Sequence, residues 1–179
     1  MPNKLPARAG FTLIELLITI SIMALVMGGG IAAYLAFQSR QEVLAAAKNI
    51  QQLVRTTQGK ARVRETPTDP ACNGANKLQG YRIKLTGGSI RIIALCGPTF
   101  GSFGESVEVY RENFPAGVTY SGSSPTDIDY YTLYKGVYIY PSGPPSSTLE
   151  FISTSDSNLK YRFTVNNGGS ISDVEAYTN

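Results

Sequence analysis

"RAGFTLIELLITISIMALVMGGGIAAYLAFQS", residues 8–39, holds a single acid, Glu15, and after it nothing charged: Leu16 to Ser39 is 24 residues without a charged side chain. As a helix rising 1.5 Å per residue this run would extend roughly 36 Å, enough to cross a hydrocarbon core of about 30 Å with some tilt. Lys4 and Arg8 precede it, so the short leader is expected to stay in the cytoplasm while the C-terminal part is exported. A secretory signal peptide, cleaved after its apolar stretch, is the competing reading; Ala24 and Gly28 to Gly30 imitate its small residues only weakly.

The residues in front of the run are more specific. Arg8-Ala9-Gly10 followed by Phe11-Thr12-Leu13-Ile14-Glu15-Leu16-Leu17 resembles the prepilin leader of the type IV pilin and pseudopilin family, over roughly residues 4–37. The resemblance implies that a prepilin peptidase in the membrane cuts after Gly10 and N-methylates the new N-terminus, Phe11. It further implies that Glu15 pairs with the Phe11 amine of a neighbouring subunit and so sets the register of a growing filament. An ionised side chain inside a bilayer costs about 2.5 to 3.5 kcal/mol on insertion scales, which is why such an acid is usually paired or functional. The plainer alternative is a headgroup-level Glu at the end of an ordinary anchor. Gly28-Gly29-Gly30 should weaken the helix by about 1 kcal/mol per residue against Ala. Many pilins carry a helix-breaking proline near this place, where the chain has Ala32 and Ala33. Local melting during assembly and close helix packing through small residues both remain open as the triplet's role.

From Arg40 the texture becomes amphipathic. Val43, Ala46/Ala47, Ile50 and Leu53/Val54 follow the 3.6-residue period of a one-sided helix, and Gly59 is the expected stop. No proline lies between Phe11 and Gly59, so one nearly continuous helix is expected. The predicted fold is α+β: a long N-terminal helix, membrane-spanning in its first half, packed on an antiparallel β-sheet head in the lollipop layout of pilins. The expected organisation is a cytoplasmic leader over 1–10, a transmembrane and assembly helix over 11–39, and an exported head over 40–179. Within the head, 40–59 continues the helix and 79–177 carries the sheet.

"GYRIKLTGGSIRIIALC" reads as a hairpin turning at Gly87-Gly88. Further strand signals fall at 107–111, 118–121, 136–140, 149–153 and 159–165, joined by polar loops such as "SGSSPTD" and "YPSGPPSS". "NFPAGVTY" (113–120) and "LKYRFTVNNGGSI" (159–171) are similar to segments of GspH/FimT-like minor pseudopilins. That resemblance implies a minor subunit of a type IV pilus or type II secretion pseudopilus. Its partners would be other pilin or pseudopilin subunits, the prepilin peptidase, the inner-membrane assembly platform and the lipid bilayer. It would reside as a single-pass protein of the inner membrane, then in an extracellular or periplasmic filament. The Asp-rich calcium loop of major secretion pseudopilins has no counterpart, so no metal and no cofactor is expected. Cys72 and Cys96 fall in the exported part, where disulfides persist, and allow one intramolecular pairing; two buried free thiols are the alternative.

The chain has no His, which removes the commonest general base and metal ligand, and two cysteines cannot make a four-thiolate zinc site. With neither a phosphate loop nor a nucleophile elbow in view, an exported enzyme is the weakest reading. The charges are uneven. Arg40 to Arg91 carries ten Lys/Arg against three acids, and Ile92 to the end four against nine. Directional packing between copies, a basic face for a polyanion, and ordinary surface charge would each account for this. DNA capture in a competence system is thus a second functional reading. Arg55, Lys60, Arg62 and Arg64, with Lys77, Arg82, Lys84 and Arg91, would then form a phosphate-contacting stripe. Eleven tyrosines could mark an adhesive surface, although Tyr138 and Tyr140 alternate as sheet-packing residues do.

Overall fold

The computed structural model describes residues 10–99, 105–122, 127–132, 137–139, 146–154 and 156–177. Leader residues 1–9, Tyr140, the Tyr138 side chain and the loop residues 123–126 and 141–145 lie outside the described residues.

One α-helix, α1 (Leu13–Val63), runs unbroken for 51 residues. It passes straight through Gly28, Gly29 and Gly30, so the expected weak point is not an interruption in this state. Once nucleated, a helix gains a hydrogen bond for each residue added, and good helix formers on both sides carry it across a local penalty. The helix also runs past Gly59, a correction to the expected stop. The buried stripe continues through Val54, Thr57 and Ala61, so burial of Ala61 draws the helix on by another turn. It ends in a Schellman motif: the Glu65 N–H donates to the Lys60 carbonyl (3.0 Å) and the Arg64 N–H to the Ala61 carbonyl (3.3 Å). Arg64 takes the left-handed position usually given to glycine, with φ 55°. Lys60 Nζ closes the cap with an ion pair to Glu65, at 2.8 Å.

The chain divides into two compact units, Met1–Gln38 and Ser39–Asn179. In the first, every described side chain is exposed. In the second, the amphipathic half of α1 buries Val43, Ala46, Ala47, Ile50, Val54 and Ala61 in a core shared with two antiparallel sheets.

The strands are β1 (Lys77–Thr86), β2 (Ser89–Gly97), β3 (Glu105–Asn113), β4 (Val118–Tyr120), β5 (Asp127–Tyr131), β6 (Val137–Ile139), β7 (Ser146–Ser153), β8 (Lys160–Asn166) and β9 (Glu175–Tyr177). They form a five-stranded sheet, β3-β2-β1-β5-β6, and a four-stranded sheet, β4-β7-β8-β9. The β1–β2 hairpin turns at Gly87-Gly88 as read from sequence, with Ile83 opposite Ile92. Alternation puts Tyr81, Ile83 and Leu85 of β1 and Ile90, Ile92 and Ala94 of β2 into the core. From the second sheet Phe151 stacks on Phe163, with ring centroids 6.1 Å apart, and meets the edge of Phe114 at 5.8 Å. The hairpin turn bridges to the second sheet, since the Gly87 carbonyl accepts from the Tyr120 N–H (3.0 Å) and from the Thr119 hydroxyl (2.8 Å).

Strand β5 has no counterpart in the sequence reading. "DIDYY" alternates, but Asp is depleted in strands, which hides the signal. In the sheet Arg82 faces Asp129 across the β1–β5 ladder, and its guanidinium takes both carboxylate oxygens at 2.7 and 2.8 Å. The backbones approach so closely there that a Cβ on Gly80 would collide with the Tyr130 carbonyl oxygen.

Cys72 and Cys96 form a disulfide, Cα–Cα 5.3 Å, which sets aside the free-thiol alternative. It ties a 3-10 turn (Pro70–Cys72), capped by the Asp69 carboxylate accepting from the Ala71 N–H at 2.9 Å, to the end of β2.

Candidate functional site

Gly10, Phe11 and Thr12 precede the first helical residue, so the peptide bond that the leader reading marks for cleavage lies outside regular structure. Thr12 is the helix N-cap. Its hydroxyl oxygen accepts from the Glu15 N–H (3.3 Å) and its carbonyl from the Leu16 N–H (3.2 Å). Thr12-Leu13-Ile14-Glu15 thus has the Thr-x-x-Glu spacing of a capping box, a local signal carried by the sequence itself. Glu15 is the acid of the first turn, where the positive end of the helix dipole favours a carboxylate. The Glu15 side chain is exposed, as is that of Phe11.

After this turn α1 is long and apolar enough to cross a membrane, with a window of mean hydropathy 2.2, none of which is buried. The glycine triplet leaves open space: a Cβ on Gly28, Gly29 or Gly30 would meet nothing within 4 Å.

The cations proposed as a stripe go to different neighbours. Arg55 lies 3.4 Å from Asp173, Lys60 2.8 Å from Glu65, Arg82 2.7 Å from Asp129, and Arg91 3.8 Å from Glu108. Arg62 lies near the buried Tyr130; burial raises that phenol's pKa and the Arg62 charge partly offsets the rise. Arg64 lines a cavity beyond the helix end together with Lys77. Three of these pairs join a cation of the basic front half to an acid of the acidic back half, so much of the charge asymmetry is met inside one head. Polar side chains of α1 also hold the segment after β8: Gln51 donates to the Ser172 carbonyl and Gln58 to the Gly169 carbonyl (2.6 Å). Gly169 has φ 80°, and a Cβ there would collide with the Gln58 amide. Among the described residues no three of Cys, Asp, Glu and His gather as a metal site.

A family model for the prokaryotic N-terminal methylation motif matches residues 5–31. Among solved structures, the chain is similar to the type IV minor pilin FimU of Pseudomonas aeruginosa strain PAO1. The TM-score is 0.50 at 15% sequence identity, over 76% of this chain and 90% of that one. The chain has a type IV pilin-like fold. No curated protein matches this pilin-like chain by sequence. The motif coincides with the capped first turns of α1, and the structural likeness extends the pilin-like description over a head whose sequence carries only short cues.

Proposed function

We propose that this pilin-like chain is a minor subunit of a type IV pilus or type II secretion pseudopilus, cleaved after Gly10, N-methylated on Phe11 and assembled through its N-terminal helix. The observation that carries the reading is a methylation motif over residues 5–31 whose sole acid, Glu15, stands in the capped first turn of an exposed apolar helix. Cleavage frees an α-ammonium at Phe11 on every copy. In lipid, Glu15 and that ammonium are each costly alone, and opposite charges attract far more strongly at low dielectric than in water. Pairing Glu15 of one copy with Phe11 of the next relieves both and fixes their axial offset. The subunit then begins in the inner membrane, head exported, and leaves it for a filament. Its partners are other subunits, the prepilin peptidase, the assembly platform and the bilayer.

Capture of DNA is the weaker reading, since at Arg55, Lys60, Arg82 and Arg91 a phosphate would have to compete with a carboxylate already in place.

Mass analysis of the mature chain tests the processing. The expected result is loss of Met1 through Gly10 and one added methyl on Phe11; an active chain that keeps its leader overturns the proposal. Glu15→Ala is expected to insert in the membrane at normal levels and fail to enter filaments, read by shearing and immunodetection. Incorporation at the unmodified level would remove the role given to Glu15.

A further inference from the structure

At the C-terminal end of α1 a cavity of about 510 Å³ opens among Arg64, Lys77, Asn73, Asn76, Gln79 and Thr132, within the range of roughly 300–1,000 Å³ usual for small-molecule sites. We propose that it binds a hydroxylated carboxylate of monosaccharide size, such as a uronic acid.

Its walls are linked before any ligand arrives. The disulfide joins Cys72 on one side to Cys96, next to Gly97, Pro98 and Thr99 on the other. The Gln79 side-chain amide donates to the Thr99 carbonyl, and the Thr132 N–H and hydroxyl both donate to the Gln79 carbonyl, at 2.9 and 3.2 Å. A cavity held from three sides loses little freedom on binding.

The charge is one-sided. Two cations and no acid stand among the described lining residues, and Asn73 and Asn76 add neutral amides suited to ligand hydroxyls, the Gln79 and Thr132 side chains being engaged in the wall. Several carbonyls at the helix end are taken up within the protein. Those of Lys60 and Ala61 accept the Schellman bonds, and that of Glu65 accepts the Tyr81 hydroxyl.

Arg64 is the informative residue. A left-handed backbone costs an L-residue about 1–2 kcal/mol, and glycine would fill this cap position without that cost. An arginine kept there, on the wall of a basic cavity, departs from a local rule where a ligand would explain it. Recognition by this lining rests on the carboxylate and hydroxyls.

The test is a calorimetric titration of the full chain in detergent micelles with glucuronate, glucose, acetate, inorganic phosphate and a short DNA duplex. Glucuronate is expected to bind about tenfold or more tighter than glucose or acetate. Arg64→Gln and Lys77→Gln are each expected to weaken it by about tenfold, the loss of a hydrogen bond to a charged group. Should Arg64→Gln lower the melting temperature, the exposed Lys77→Gln decides alone. Absent glucuronate binding, equal binding of glucose, acetate or phosphate, preference for the duplex, or variants that bind as the parent does would each overturn the proposal.

Discussion

Tyr120 shows how a side chain's chemistry is set by what covers it. Its ring packs beside Phe151, centroids 5.8 Å apart, and burial pushes its phenol pKa up to about 12. In the unfolded chain the phenol ionises at its ordinary value of about 10. Its contribution to stability is therefore fully present below about pH 10 and lost as the pH rises through about 12. Denaturant unfolding is expected to show a loss of about 2–3 kcal/mol across that window from this residue. Tyr120→Phe should remove that share. A residual slope should persist from Tyr81 and Tyr130, whose pKa values are also raised, chiefly by burial. An unchanged slope in the variant would show that Tyr120 does not titrate with unfolding. Glu15 follows the same logic: an acid that would be costly in lipid is favoured at a helix N-terminus, next to the Thr12 cap.

Within α1 two halves obey different rules. The apolar first half was legible from its uncharged run, and the second from its 3.6-residue stripe, of which Val43, Ala46, Ala47, Ile50 and Val54 are all buried. The end was misread. A glycine ends a helix only if packing lets it, and buried Ala61 carries this one to Val63. The glycine triplet is helical here, yet three Gly→Ala changes should stiffen it by about 3 kcal/mol. The triple variant is expected to insert in the membrane as the parent does and to enter filaments several-fold less, by immunodetection of sheared filaments. Equal incorporation would mean that the glycines are only tolerated. The β1–β2 hairpin was legible because its alternation and its Gly-Gly turn are local. Strand β5 was not, since the partner that makes Asp129 acceptable in a sheet is Arg82, 47 residues away.

Across the head, long-range ties hold together elements that few local cues connect. The disulfide spans 24 residues, and closing a loop of that order contributes about 3 kcal/mol in the chain-entropy model. The double variant Cys72→Ser/Cys96→Ser is expected to unfold with stability lower by about that amount, measured in urea, while a loss below about 1 kcal/mol would show that the unfolded chain gains little from release. The same variant should loosen the cavity between Cys72 and Thr99.

Short-range patterns were enough to mark out the N-terminal motif, the apolar helix with its lone acid, the amphipathic continuation and the first hairpin, because each rests on spacing along a few residues. The division into two sheets, the place of β5 beside β1, the Cys72–Cys96 pairing and the basic cavity at the end of α1 depended on folding. So did the meeting of front-half cations with back-half acids. In each, the deciding neighbour is distant along the chain, and no local preference encodes a contact that exists only once the core has closed.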